Sequence, residues 1–224
     1  MIDKQYKYLL LDLDGTITDS MEGITRSVQY ALGHFGIDVT DLNSLRPFIG
    51  PPLKDSFRDF YGFTDEKAEA ALSKYREYFA TKGLFENRVY EGMDAFLASQ
   101  LNKERKLYVA TSKPEVFARQ ILEHFKLDGY FTYIGGSTLD GSRSSKTDVI
   151  RYVMDVNGLD DNQAVVMIGD RKHDMVGAGN NGIDAIGVLY GYGDEEELRS
   201  AGASYIAASV EDLEAMRSEE RRVG

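Results

Sequence analysis

Residues 8–20 read YLLLDLDGTITDS. The run from Tyr8 to Leu11 has no charged side chain, the pattern of a short strand covered on both faces. It ends by placing Asp12 and Asp14 two residues apart, with Gly15 and Thr16 directly after. Alternate residues of a strand share a face. The two carboxylates can therefore project together where the strand gives way to a turn. Burying carboxylates there costs free energy unless something compensates, so the rest of the chain has to supply the compensation.

Other runs of the same kind follow. KLYVATS (106–112), AVVMIGD (164–170) and DAIGVLYG (184–191) read as central strands, and YFTYIGGS (130–137) as a weaker fifth. Each is followed by polar or glycine residues, and usually by a helical pattern. Apolar strands alternating with helices predict an α/β fold, a Rossmann-like doubly wound parallel sheet covered on both sides with right-handed crossovers. Pro114 suits the first position of one helix. Ser145 with Asp148 three residues on, and Gly158 as a stop, bracket another.

Between the first two strands lie about 85 residues with helical rather than strand periodicity. ITRSVQYALGHFGI, PLKDSFRDFYGF and AEAALSKYREYFATKG each carry apolar residues at helical spacing. That is too much chain for a crossover. It predicts an inserted α-helical subdomain over residues 20–83, with residues 1–19 and 84–224 forming the core domain. The Tyr and Phe stripes of the insertion read as its own core.

The bulk numbers narrow the function. The chain has 224 residues, 42% hydrophobic and 28% charged, ordinary for a globular protein. Its formal net charge of -11 argues against a nucleic acid polymer or an anionic membrane as partner. It contains no cysteine, which excludes disulfides, thiolate catalysis and zinc–thiolate sites. The first apolar run is too short for a signal or a membrane span. The expectation is a cytoplasmic protein, monomeric or weakly homo-oligomeric. The charged end, EAMRSEERRVG, is expected to fray.

Ligands of open parallel sheets bind at the carboxyl ends of the strands, and polar groups collect at those ends here. One strand ends in Thr111, Ser112 and Lys113, another runs into IGDRKHD with Asp170 and Asp174, and Lys146 opens a helix. Asp12, Asp14 and Asp170 offer hard oxygen ligands of the kind magnesium prefers. Thr111 or Ser112 can donate a hydroxyl hydrogen bond to a phosphate, and Lys146 adds a compact positive charge. Like charges about 4 Å apart repel by about 4 kcal/mol per pair at an effective dielectric of ~20. Four aspartates facing a phosphate therefore call for a divalent cation, because one lysine cannot offset them.

DLDGTITDS, ATSKP, Lys146 and IGDRKHD together resemble, in order, the four motifs of the haloacid dehalogenase-like hydrolase superfamily. The helical insertion after the first motif resembles that superfamily's small cap. The chain looks most like the phosphoglycolate phosphatase group, while FIGPPL and GDRKHD are similar to stretches of sequences regarded as 5′-nucleotidases. The resemblance implies a magnesium-dependent phosphatase acting on a small phosphorylated metabolite, with Asp12 as nucleophile, forming an aspartyl-phosphate, and Asp14 as general acid and base. It implies that Thr111 and Lys146 hold the phosphoryl group. It further implies that Asp170, Asp12 and the Asp14 backbone carbonyl bind the metal, and that Asp174 orients a metal-bound water or Lys146. The dehalogenases that named the superfamily lack an acid at the position of Asp14, so its presence points to phosphoryl transfer. A phosphomutase, or a catalytically silent binding protein, is the remaining alternative.

Blander readings stand beside these. Ser112 either contacts phosphate or caps the helix near Pro114. Asp174 either supports the metal site or answers its own helix dipole. His173 reads as an exposed loop residue. In RPFIGPPLKD, Arg46 and Lys54 either meet the substrate or flank a stiff structural turn.

Overall fold

In the computed structural model, which describes residues 6–215, the run Tyr8–Leu11 is strand β1. Leu9, Leu10 and Leu11 are each fully buried. Burying a leucine side chain is worth about 1.5–3 kcal/mol. Side chains pointing to both faces reach that state only in the middle of a covered sheet. The charged end of the chain from residue 216 onward lies outside the described residues.

After β1 the chain runs through β2 (Thr18–Asp19) and then α1 (Met21–Gly33), α2 (Leu53–Tyr61) and α3 (Asp65–Tyr78). It continues through β3 (Arg88–Val89), α4 (Met93–Asn102), β4 (Lys106–Pro114), α5 (Glu115–His124) and β5 (Phe131–Ser137). The last part holds α6 (Lys146–Asn157), β6 (Val165–Gly169), α7 (Lys172–Asn180), β7 (Asp184–Val188), α8 (Glu195–Ser200), β8 (Tyr205–Ala207) and α9 (Val210–Ala215). Six of these strands form one sheet in the order β5-β4-β1-β6-β7-β8. Every neighbouring pair in it is parallel. The α/β doubly wound core is therefore as the sequence predicts. Strand β8 was not predicted: only three residues long, its apolar run is too brief to stand out. The paired two-residue strands β2 and β3 were missed for the same reason.

One face of the sheet packs Leu10, Tyr108, Ala110 and Met167 against Val149, Ile150 and Val153 of α6 and Met175 and Ala178 of α7. Helix α6 has the predicted ends. The Ser145 hydroxyl accepts the Asp148 N–H, and Gly158 stops the helix in the left-handed conformation, at φ 61°. Pro114 departs from expectation. It ends β4 and precedes α5 as its N-cap rather than opening the helix.

Two compact units divide the chain. One holds the residues up to Thr18 and from Val89 onward, the other Asp19–Arg88. The second unit holds α1, α2 and α3. Its centre is aromatic: Phe48 meets Phe57 edge-on at 5.1 Å, and Tyr75 stacks on Phe79 at 5.3 Å. Helix α3 runs on into a wide turn at Phe79–Gly83, and Gly23 of α1 lies against it so closely that a Cβ would sit 2.0 Å from the Gly83 carbonyl oxygen. Among the described residues, no helix is long and apolar enough to cross a membrane.

Candidate active site

Strand register places the site. Leu11 pairs with Val109 on one side and Ile168 on the other. Asp12 follows Leu11 directly, and Thr111 and Asp170 stand two residues after Val109 and Ile168, which brings the three to the carboxyl side of neighbouring strands. Asp12 is buried, and its Oδ1 accepts the Leu13 N–H at 2.8 Å. The chain then turns tightly. The Leu13 carbonyl accepts the N–H groups of Thr16, Ile17 and Thr18, and Gly15 adopts φ 81°, a conformation that favours glycine. Within this turn Asp14 lies with Oδ2 2.9 Å from Lys113 Nζ, while its Oδ1 is buried without a hydrogen-bond partner.

Lys146, the first residue of α6, is buried. Its ammonium sits 2.8 Å from Asp12 Oδ1 and 2.9 Å from Asp174 Oδ1, and donates to the Ala110 carbonyl at 3.0 Å. The Asp174 contact is an ion pair outside hydrogen-bond geometry, so that oxygen keeps no donor. Burial alone pulls the lysine toward its neutral form, but attraction to Asp12 and Asp174 outweighs it and raises its pKa.

Asp170 and Asp174 are both fully buried. Asp174 is in the first turn of α7, where its Oδ2 accepts the Arg171 N–H at 3.1 Å. Burial first, and then repulsion from Asp174 and Asp12, push the Asp170 carboxyl well above the usual carboxylate range. Burial likewise pushes Asp174 up to about 6 against the pull of Lys146. One carboxylate oxygen from each of Asp12, Asp170 and Asp174 lies within 4.8 Å of the others.

Three carboxylates and one ammonium leave a formal charge of about −2 in a buried space, which a divalent cation would neutralise. Asp170 Oδ1, buried without a hydrogen-bond partner, has the character of a metal-ligand atom. An all-oxygen donor set suits a hard cation such as magnesium. The site therefore fits such an ion.

Thr111 is buried, and its Oγ1 accepts the Lys113 N–H at 3.2 Å, which keeps the hydroxyl hydrogen available to an anion. Ser112 is partly exposed and does not cap α5. His173 is a partly buried residue of α7 rather than a loop residue, and burial lowers its pKa. Arg46 and Lys54 both belong to the helical unit. Arg46 is exposed in a tight helical turn at Leu42–Phe48, and Lys54 pairs with Glu69 at 3.3 Å.

Sequence reasoning overlooked one wall of the site. The segment after β7, Tyr190–Gly193, covers Asp170. The Tyr192 N–H donates to Asp170 Oδ2 at 2.8 Å, and the Tyr190 hydroxyl donates to the Thr16 carbonyl at 3.2 Å. A Cβ on Gly191 would lie 2.4 Å from Asp170 Cβ, and one on Gly193 2.1 Å from the Asp170 carbonyl oxygen. β7 stops at Val188, short of the run to Gly191 read from the sequence, and the two glycines flanking Tyr192 in the segment beyond it signal such a close backbone approach.

Residues 9–188 match the family model described as haloacid dehalogenase-like hydrolase. This chain belongs to that family. A protein of Pseudomonas aeruginosa named 5′-nucleotidase is 49% identical over 213 residues, covering 95% of each chain. The tyrosine-protein kinase PtkA of Mycobacterium tuberculosis is 36% identical, covering 92% of this chain and 70% of its own. Phosphoglycolate phosphatase 1 of Pseudomonas aeruginosa is more distant, 26% identical over 92% of this chain and 78% of its own. The crystal structure of a predicted phosphatase from Clostridium acetobutylicum superposes with a TM-score of 0.93 at 53% identity, covering 96% of this chain and all of that one. The chain is an enzyme of the phosphatase kind within the haloacid dehalogenase-like hydrolases.

Proposed function

We propose that this enzyme hydrolyses nucleoside 5′-monophosphates with magnesium, through an aspartyl-phosphate on Asp12. The mechanism rests on one observation: Asp12, Lys146, Asp170 and Asp174 share a buried charge cluster with a deficit of positive charge. Both of Asp12's contacts fall on Oδ1, which leaves Oδ2 to attack phosphorus. A carboxylate nucleophile divides the displacement into two easier steps. Asp14 gives a proton to the leaving alcohol and takes one from the attacking water. The Thr111 hydroxyl and Lys146 hold the phosphoryl oxygens, where positioning and electrostatics supply most of the rate. Magnesium, held by Asp12, Asp170 and the Asp14 carbonyl with Asp174 beside them, would supply charge neutralisation for a dianionic substrate. The helical unit is read as a cap that excludes bulk water and chooses the leaving group; Arg46 and Lys54 are its candidate contacts.

The substrate reading shifts from phosphoglycolate toward nucleotides because the 49% identical relative named 5′-nucleotidase matches over 95% of each chain. The kinase-named relative supports a second reading, transfer of the phosphoryl group from Asp12 to an acceptor hydroxyl rather than to water. The test is phosphate release from nucleoside 5′-monophosphates, phosphoglycolate and sugar phosphates, with and without magnesium. The expected result is metal-dependent release, fastest from nucleotides and absent in Asp12→Asn. Equal release by Asp12→Asn would remove the nucleophile. Preference for phosphoglycolate would overturn the substrate, and phosphorylated acceptor in place of free phosphate would favour the second reading.

A further inference from the structure

Lys113 is a buried cation to which the proposed mechanism gives no role. Its side chain is 4% exposed, and its ammonium is 2.9 Å from Asp14 Oδ2. Lys146, by contrast, pairs with Asp12 and Asp174. Each of the two carboxylates given a chemical step, Asp12 and Asp14, thus has an ammonium beside it.

The backbone around Lys113 is built to aim it. Along β4 and β5 the register steps from Thr111 opposite Gly136 to Pro114 opposite Ser137, so Ser112 and Lys113 are extra residues on β4. Bulges of this kind bend a strand and redirect a side chain. Gly136 accommodates the bend: a Cβ there would sit 2.5 Å from the Lys113 carbonyl oxygen. The Lys113 N–H bonds the Thr111 hydroxyl oxygen, and the Lys113 side chain reaches Asp14. One residue thus ties the proposed phosphate-binding hydroxyl to the proposed acid.

We propose that Lys113 is a positioning residue for proton transfer: it anchors Asp14 Oδ2 so that Oδ1 is presented to the leaving oxygen. The proposal rests on the reading of Asp14 as acid and base. Asp14 Oδ1 is buried and without a hydrogen-bond partner, as an atom reserved for a substrate proton should be. In the first half-reaction the bond from Asp12 to phosphorus forms and the ester P–O bond breaks. The Asp14 proton moves to the departing oxygen, giving the free alcohol. The carboxylate left behind is stabilised by the ammonium already beside it. In the second half-reaction water transfers a proton back to Asp14 as its oxygen attacks phosphorus, releasing phosphate and Asp12.

The test separates positioning from phosphate binding and from simple packing by changing the leaving group. kcat/KM reports the steps up to loss of the alcohol, and p-nitrophenolate departs without needing a proton whereas an alkoxide does not. Wild type, Lys113→Met, Lys113→Arg and Asp14→Asn are compared on an alkyl phosphate and on p-nitrophenyl phosphate, with magnesium. In Lys113→Met, kcat/KM should fall about 100-fold on the alkyl ester but less than about 10-fold on the nitrophenyl ester, the range expected for lost general acid catalysis. Lys113→Arg should recover most of the alkyl activity. Retained nitrophenyl activity also reports a folded enzyme; if Lys113→Met does not fold, Lys113→Gln carries the same comparison. An equal loss on both esters, or no loss on either, overturns the role given to Lys113. Equal loss on both esters in Asp14→Asn overturns the acid itself, a separate failure that removes the proposal with it.

Discussion

Replacing Asp170 by Asn should make the metal-free protein more stable while sharply weakening its response to magnesium. Asp170 is fully buried, and one of its oxygens lies within 4.8 Å of oxygens of Asp12 and Asp174. At an effective dielectric of ~20, two charges at that separation repel by about 3.5 kcal/mol. Protonation limits how much of this the folded state bears. Each pKa unit is about 1.36 kcal/mol, so a carboxyl with an ordinary value near 3.9 loses at most about 4 kcal/mol at pH 7 before it takes up a proton instead. Asn keeps the acceptor for the Tyr192 N–H, and its amide group can donate to the neighbouring carboxylates. The gain should therefore be about 1–4 kcal/mol, or roughly 3–12 °C in melting temperature for a chain of this size. Wild type should gain about 2.7 kcal/mol from magnesium at a hundred times its Kd, and the variant far less. Thermal melts of both proteins, in chelator and in magnesium, measure all four quantities, with phosphate release run alongside. A variant less stable than wild type in chelator, or equally stabilised by magnesium, would refute the charge-deficit argument.

Two further expectations concern the same cluster. Asp174 is raised from 3.8 to about 6 in the folded protein, so the folded state binds its proton more tightly than the unfolded chain does. Its stabilising contribution is then fully present below pH ~4 and is lost as pH rises through about 6, on the order of 3 kcal/mol in the absence of metal. Denaturant titrations in chelator at intervals between pH 5 and 7.5 should show that decline, and magnesium should reduce it by favouring the charged form. Gly193→Ala should destabilise the protein by roughly 1–3 kcal/mol and lower activity, because its Cβ would meet the Asp170 carbonyl at 2.1 Å. Gly179→Ala, at a glycine with open space around it, is the control and should leave activity unchanged.

Much of this protein is legible in the chain because the signals are local. Apolar runs ending in aspartate or threonine mark strands whose tips carry chemistry, and Ser145 with Gly158 brackets α6 through short-range hydrogen bonds and one left-handed residue. Helical spacing of aromatic residues marks the inserted unit, whose rings pack on one another. The family, the α/β class and the carboxylates at the tip of β1 follow from such patterns.

The contacts that assemble the site are not local. Asp174 is 162 positions from Asp12, yet both meet Lys146, and only the strand order β4-β1-β6 with α6 and α7 packed on one face brings the three together. The Tyr190–Gly193 wall needs the chain to return across Asp170 after β7, a close approach that its glycines permit but cannot direct. The sequence places Lys113 among the polar groups at a strand end, but the bulge in β4 is what brings it onto Asp14. The sequence by itself determined which residue types stand at the strand ends, because periodicity and capping act within a few residues. The tertiary structure alone decided which charges share one buried space, because burial and pairing across more than a hundred residues are set by the packing of the whole sheet.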